Sequence, residues 1–278
     1  MDIKAIVLDI DGTLVTTEKV ISKKTRDILI KAQENGIKVI LASGRPTRGM
    51  WHLAEELELD KHNGYLVSFN GARVTDCETK EVLFNQALDT DLSKNILEHL
   101  KQFDVIPMIY GDTHMYVNDV YHNEIQTLDG PTMNIVEYEA RMCHFLLSEQ
   151  ADLAAFVDEP QNKVLIAGNP DYLQKVYQEI HAPFEDITSG VFSTPFYFEL
   201  TDKGIDKAFS LNKVLTAHGI LPENVISFGD GQNDRSIIEY AGMGVAMGNA
   251  MQEILDIADE VTLSNDHDGI AVFLERYI

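Results

Sequence analysis

The run Ala5-Ile6-Val7-Leu8-Asp9-Ile10-Asp11-Gly12-Thr13-Leu14 decides how the rest of the chain is read. Its apolar residues predict a buried strand over 3–10, and Asp9 and Asp11 fall at its carboxyl end, where open α/β sheets place their ligands. Gly12 then lets the chain turn sharply with its backbone exposed. Two carboxylates two positions apart suit divided labour, one as nucleophile or metal ligand, the other as acid or base. The spacing alone is equally that of a polar strand exit. A calcium loop matches less well, because it needs another oxygen ligand before the glycine and a closing glutamate.

The flanking sequence predicts a helix over 22–35, with Ser22 as N-cap and Gly36 as stop, and a buried strand over 37–42. A helix over 47–59, spaced by Met50, Leu53, Ala54 and Leu57, leads to a strand over 65–69. The alternation returns near the other end: helix 206–218, strand 225–228, helix 234–240, strand 244–247, helix 251–258. Both ends therefore build one α/β domain, a doubly wound parallel sheet. Between them, hairpin-like stretches over 73–86 and 105–117, turning at 76–80 and at Gly111-Asp112, interleave with helices over 91–103 and 170–181. That is an α+β pattern. The expected division is a core segment over 1–86, an inserted α+β domain over 87–189 and a second core segment over 190–278. Asp186-Ile187-Thr188-Ser189-Gly190 is the expected return hinge.

Composition narrows the function classes. With 278 residues, 45% apolar and 24% charged, the chain can build a sizeable core and is not a disordered one. A formal charge of −23 repels nucleic acid and anionic membranes at long range. Because salt screens exposed charges beyond ~8 Å, a metal and a few cations can still dominate inside a cleft and admit an anionic ligand. Cys77 and Cys143 form neither a disulfide framework nor a zinc set, and no apolar run approaches the ~18 residues of a membrane span. With no signal or transit pattern at the amino end, the cytoplasm is expected. No HExxH, GxSxG or GxxxxGK pattern occurs, which argues against zinc hydrolases, serine hydrolases and Walker-type NTPases.

A second acidic turn, Gly229-Asp230-Gly231-Gln232-Asn233-Asp234, follows another buried strand. It superficially resembles a dinucleotide fingerprint, but Asp234 at the third glycine position would face a pyrophosphate with like charge. A cation suits it better, and two acidic loops at one sheet edge can converge on Mg²⁺. Ser43-Gly44-Arg45 offers a hydroxyl and a backbone N–H to a phosphate, and Lys207 at a helix start offers a fixed positive charge; each alone also reads as structural. Asp266-His267-Asp268-Gly269 repeats the DxDG letters without a preceding apolar strand and reads as a polar turn capping the last helix.

In this order the segments resemble the haloacid dehalogenase superfamily, specifically its Cof-type phosphatases with a large cap between the second and third motifs. Asp9 to Thr13 looks like the first motif, Ser43-Gly44-Arg45 the second, Lys207 after Gly204 the third, and Gly229-Asp230 to Asn233-Asp234 the fourth; Asn70-Gly71 and Ala246 to Ala250 also fit. Leu255 departs from the Lys that relatives often carry. The resemblance implies that Asp9 is the nucleophile that becomes an aspartyl-phosphate and that Asp11 is the acid and base. The same resemblance implies Mg²⁺ held by Asp9, the Asp11 carbonyl and Asp230, and phosphate held by Ile10, Ser43, Gly44, Lys207 and Asn233. It further implies that Thr13, Arg45, Asn70, Asp234 and Asn249 support them, with Asp234 orienting the metal site rather than ligating. A cation is needed because a carboxylate ~4 Å from a phosphate dianion meets about 8 kcal/mol of repulsion at an effective dielectric near 20. The implied function is hydrolysis of a small phosphorylated metabolite, with sugar phosphates as the expected class and neither nucleic acid nor membrane as partner. Phosphomutase chemistry and a non-enzymatic binding module are the alternatives. In the cap, Tyr110, Asp112, His114 and Arg141 are polar candidates with no motif to mark them.

Overall fold

The computed structural model describes residues 2–126 and 132–278, and the chain divides into two compact units, Met1–Asn85 with Asp206–Ile278, and Gln86–Ile205. In the first, strand Ala5–Leu8 pairs in parallel with Lys38–Ala42 on one side and Val225–Gly229 on the other, so Leu8 stands level with Leu41 and Phe228. Tyr65–Ser68 extends the sheet in parallel beyond Lys38–Ala42, and Met243–Ala246 and Glu260–Val261 extend it beyond Val225–Gly229. An antiparallel hairpin of Arg73–Asp76 and Val82–Asn85 completes one edge.

The central strands are apolar throughout because helices cover both faces. Ile6, Leu8, Val39 and Leu41 pack with Leu29, Leu53 and Phe273 from the helices Lys23–Glu34, Trp51–Glu56 and Gly269–Leu274. The alternate residues Ala5, Val7, Ile40 and Ala42 pack with Leu211, Leu215 and Ile237 from Lys207–Ala217 and Arg235–Tyr240. Burying each such Leu or Ile contributes ~1.5–3 kcal/mol, and the two clusters fix which strand ends lie side by side. The Ser22 hydroxyl accepts from the Thr25 amide at 3.1 Å, and Gly36 leaves the first helix at φ +83°. The helix expected over 47–59 is shorter, a 3₁₀ turn at Thr47–Met50 followed by α-helix only over Trp51–Glu56.

The second unit is α+β. Its sheet runs, in spatial order, Leu146–Glu149, His114–Val117, Ile106–Tyr110, Val164–Ala167, Tyr197–Asp202 and Thr188–Thr194. One face packs against helices Thr90–Leu100 and Pro170–His181. The return to the first unit corrects the boundary expected after 189. Thr188–Thr194 and Tyr197–Asp202 pair antiparallel, and the latter pairs with Val164–Ala167, so the crossing falls at Asp206. Gly190 is no hinge. A Cβ there would lie 2.7 Å from Phe198 Cζ, so this glycine serves close packing of a ring on a strand. Cys77 and Cys143 are both buried and not joined in a disulfide, and the Cys143 thiol donates to Glu139 Oε1 at 3.3 Å. Among the described residues no helix is long and apolar enough to cross a membrane.

Candidate active site

The parallel register brings the motif-bearing strand ends together. Asp9 follows Leu8 and its amide donates to the Phe228 carbonyl at 3.1 Å, which sets it beside Gly229 and Asp230. Gly12 is required for this approach: its φ is +86°, and a Cβ would sit 2.3 Å from Asp230 Oδ2. The Thr13 hydroxyl donates to Asp230 Oδ1 at 2.7 Å, joining the two acidic loops. Lys207 enters at the start of a helix whose N-cap, Asp206, accepts from the Ala208 and Phe209 amides. Its fully buried ammonium donates to Asp9 Oδ1 and to Asp234 Oδ1, both at 2.6 Å.

Asp234 spends its other oxygen on the Asp230 and Gly231 amides, each at 2.9 Å, so it holds the loop and Lys207. Asp9 and Asp230 each keep one oxygen outside these bonds among the described residues. Carboxylate oxygens of Asp9, Asp230 and Asp234 lie within 4.8 Å of one another. With one buried ammonium among three carboxylates, negative charge is in excess. Burial, then Asp234, raise the Asp9 pKa well above the usual range against the pull of Lys207. Burial and Asp234 likewise push Asp230 up to about 6. Burial favours neutral Lys207, but Asp234 and Asp9 prevail and raise its pKa. A compact set of hard oxygen donors with surplus negative charge fits a divalent metal ion.

Asp11 points elsewhere. Arg45 grips both its oxygens, Nε to Oδ2 and Nη2 to Oδ1 at 2.7 Å, and Lys19 Nζ reaches Oδ1 at 2.9 Å. Burial opposes ionisation, but Arg45 and then Lys19 outweigh it and hold the carboxyl down at about 2.

The phosphate-binding candidates sit at the neighbouring strand ends. Ser43 and Gly44 are buried just past Lys38–Ala42; the Ser43 hydroxyl accepts from the Arg45 amide at 3.2 Å and its carbonyl from the Asn70 amide at 3.0 Å. Asn233 Nδ2 donates to Asn70 Oδ1 at 3.3 Å. Asn70 occupies a left-handed conformation at φ +54°, next to Gly71, whose Cβ would lie 2.1 Å from the Asp206 carbonyl; that turn packs on the start of the Lys207 helix. The Ile10 side chain is buried in the core. Asn249 braces the first loop, donating to the Gly12 carbonyl at 2.8 Å. Leu255 packs beside a small cluster of Ile238, Ala246 and Ile254.

Two site features had no sequence signal. Lys19 is an exposed lysine in a polar turn, and nothing in its spacing ties it to Asp11. Asp266, expected to be a capping turn, instead accepts from the Thr17 amide and hydroxyl, while Asp268 precedes the last helix at φ +56° without a side-chain cap. In the second unit, Tyr110 is buried and donates to Glu139 at 2.9 Å, His114 shares a hydrogen bond with Thr113, and Arg141 pairs with Glu137.

A doubly wound sheet carrying a buried aspartate, lysine and aspartate constellation at its carboxyl edge, with an α+β unit inserted in the chain, defines a class of hydrolases. The sequence matches the family of haloacid dehalogenase-like hydrolases over residues 6–274, and the chain belongs to that family. It is 29% identical over 280 residues to the 5-amino-6-(5-phospho-D-ribitylamino)uracil phosphatase YitU of Bacillus subtilis, covering 98% of this chain and 96% of that protein. To the putative phosphatase YxeH of Bacillus subtilis it is 27% identical over 268 residues, covering 96% of each. The crystal structure of a haloacid dehalogenase-like hydrolase from Bacteroides thetaiotaomicron superimposes with a TM-score of 0.89 at 36% identity, covering 99% of this chain and all of that one. Membership makes the protein an enzyme, and the inserted unit corresponds to the family's cap domain.

Proposed function

We propose that this enzyme is a Mg²⁺-dependent phosphatase that hydrolyses small phosphorylated metabolites, sugar phosphates above all, through an aspartyl-phosphate on Asp9. The observation that carries the reading is the buried Asp9 carboxylate, one oxygen fixed by Lys207 at 2.6 Å and Asp230 beside it. Asp9, Asp230 and the Asp11 carbonyl would hold Mg²⁺, which when bound neutralises the charge that otherwise opposes carboxylate attack on a phosphate.

In the first half of the reaction an Asp9 oxygen attacks phosphorus, the bond from phosphorus to the ester oxygen breaks, and the leaving alkoxide takes a proton from Asp11. In the second half Asp11, now a carboxylate, takes a proton from water. The water oxygen attacks phosphorus, and the bond to Asp9 breaks to release inorganic phosphate. Lys207, the Ser43 hydroxyl, the Ile10 and Gly44 backbones and Asn233 hold the non-bridging oxygens as charge spreads over them. The grip of Arg45 and Lys19 favours the carboxylate form of Asp11, which is the form the second half needs. The first half needs the protonated form, so substrate binding must loosen that grip.

The substrate class is supported by the full-length relative that acts on a phosphorylated ribityl chain, an alkyl phosphate ester. The negative charge of the whole chain fits a small anion drawn in by local cations and metal rather than a polyanion. The test is inorganic phosphate release across sugar phosphates, nucleotides and phosphorylated cofactors with Mg²⁺ present. Free phosphate from sugar phosphates supports the reading. An isomeric sugar phosphate without free phosphate would make the enzyme a mutase, and equal release by Asp9→Asn would remove the nucleophile.

A further inference from the structure

We propose that Lys19 is a positioning residue that, braced through Thr17 by Asp266, holds the Asp11 carboxylate in place for the water-activating half of the reaction. This rests on the reading of Asp11 as the group that activates water.

Lys19 sits on a tight turn closed by its own amide on the Thr16 carbonyl at 2.8 Å and by the Thr16 amide on the Val20 carbonyl at 2.9 Å. Its backbone is left-handed, φ +60°, a conformation that residues with a Cβ rarely adopt. The turn is anchored from far along the chain. Asp266 accepts from the Thr17 amide at 2.8 Å and from its hydroxyl at 2.7 Å, and Asn265 Nδ2 donates to the Val15 carbonyl at 2.9 Å. These bonds fix the loop without help from the Lys19 ammonium, which is left to reach Asp11 Oδ1 at 2.9 Å. An exposed ion pair between two mobile side chains orders little. Here the lysine is delivered by a pinned turn and the aspartate by a strand end, so the pair constrains direction.

Orientation matters most in the second half. During the first, the leaving oxygen belongs to a bound substrate that itself aligns with Asp11. During the second, Asp11 faces a water molecule, and only the protein can aim the carboxylate; small misplacements of a reacting group slow reactions steeply. Arg45 grips both Asp11 oxygens, and Lys19 adds a second donor on Oδ1 that reaches it from the pinned turn.

The test uses the full chain with Mg²⁺ and p-nitrophenyl phosphate, whose leaving group needs no proton. The burst of nitrophenolate reads phosphorylation of Asp9; the steady rate and the phosphoenzyme trapped by acid quench read its hydrolysis. Lys19→Met is expected to keep the burst rate within about twofold, lower the steady rate roughly tenfold and raise the trapped phosphoenzyme, with Lys19→Arg restoring most of the rate. Asp266→Ala should move the same readouts in the same direction, and adding it to Lys19→Met should change little further, since both act through one contact. A Lys19→Met variant with an unchanged steady rate, or with burst and steady rate lowered by the same factor, would overturn the proposal. Asp11→Asn separates the two readings: if it accumulates phosphoenzyme and Lys19→Met does not, only the role of Lys19 fails; if it does not accumulate, the role of Asp11 fails and that of Lys19 with it.

Discussion

Replacing Asp230 with Asn tests the electrostatics of the site in a single substitution. Asn keeps the side chain's size and an oxygen for the Thr13 hydroxyl at 2.7 Å, but removes the charge. In the metal-free protein the Asp230 carboxyl titrates at about 6 against 3.8 for an unperturbed aspartate, burial and Asp234 being the causes. The folded state therefore holds this proton to higher pH than the unfolded chain. The stability it contributes is complete below about pH 4 and is lost as pH rises through about 6. At ~1.4 kcal/mol per pH unit that window amounts to ~3 kcal/mol. Asn does not titrate, so the stability of Asp230→Asn relative to the natural chain should rise by up to ~3 kcal/mol between about pH 4 and pH 7.5 in chelator. Trp51, the single tryptophan and part of the unit that carries the site, allows urea unfolding to be followed there by fluorescence. Mg²⁺ should then stabilise the natural chain, by ~2.7 kcal/mol at a hundred times its Kd, and stabilise the variant far less. A relative stability that is flat with pH, or equal stabilisation of both chains by Mg²⁺, would refute the reasoning.

Lys207→Met should cost about 3–5 kcal/mol near neutral pH, because it strands Asp9 and Asp234 without their shared cation, and less at low pH where carboxylates can protonate; paired melts at the two pH values measure it. Turnover should fall by on the order of 10²–10³ with the loss of one preorganised donor to phosphate. Gly12→Ala forces a Cβ to 2.3 Å from Asp230 Oδ2 at φ +86°, so it should cost ~1–2 kcal/mol in backbone strain and raise the Mg²⁺ concentration needed for half-maximal activity, read by metal titration. Exchanging 86–205 for the cap of a relative should move substrate preference with the cap and leave the metal requirement with the core. The same exchange cut at 87–189 should fail to fold, because it separates Tyr197–Asp202 from the sheet it shares with Val164–Ala167.

The core and its motifs were legible because buried parallel strands are apolar throughout and the candidate aspartates follow their ends, so strand and motif mark each other. Asp9 and Asp230 lie together for that reason, and Lys207 reaches Asp9 from the start of a helix. The return boundary was not legible. Thr188-Ser189-Gly190 has the polar, glycine-bearing look of a hinge, and only the ring of Phe198 beside Gly190 shows that the glycine makes room inside a sheet. Lys19 and Asp266 were hidden for another reason: their roles depend on a contact between positions 249 apart, which no local pattern encodes. The contacts of Asp234, which accepts from two amides of its own loop and from the Lys207 ammonium, join a local turn to a residue 27 positions away.

The central claim is that phosphate passes through a covalent bond to Asp9. The most direct measurement is mass spectrometry of the peptide containing Asp9, after acid quench during turnover of a sugar phosphate with Mg²⁺, for the natural chain, Asp9→Asn and Asp11→Asn. A phosphoryl group on Asp9 in the natural chain, more of it in Asp11→Asn, and none in an inactive Asp9→Asn is the predicted result. A phosphoryl group on another residue, or full turnover by Asp9→Asn with no covalent species, would contradict it.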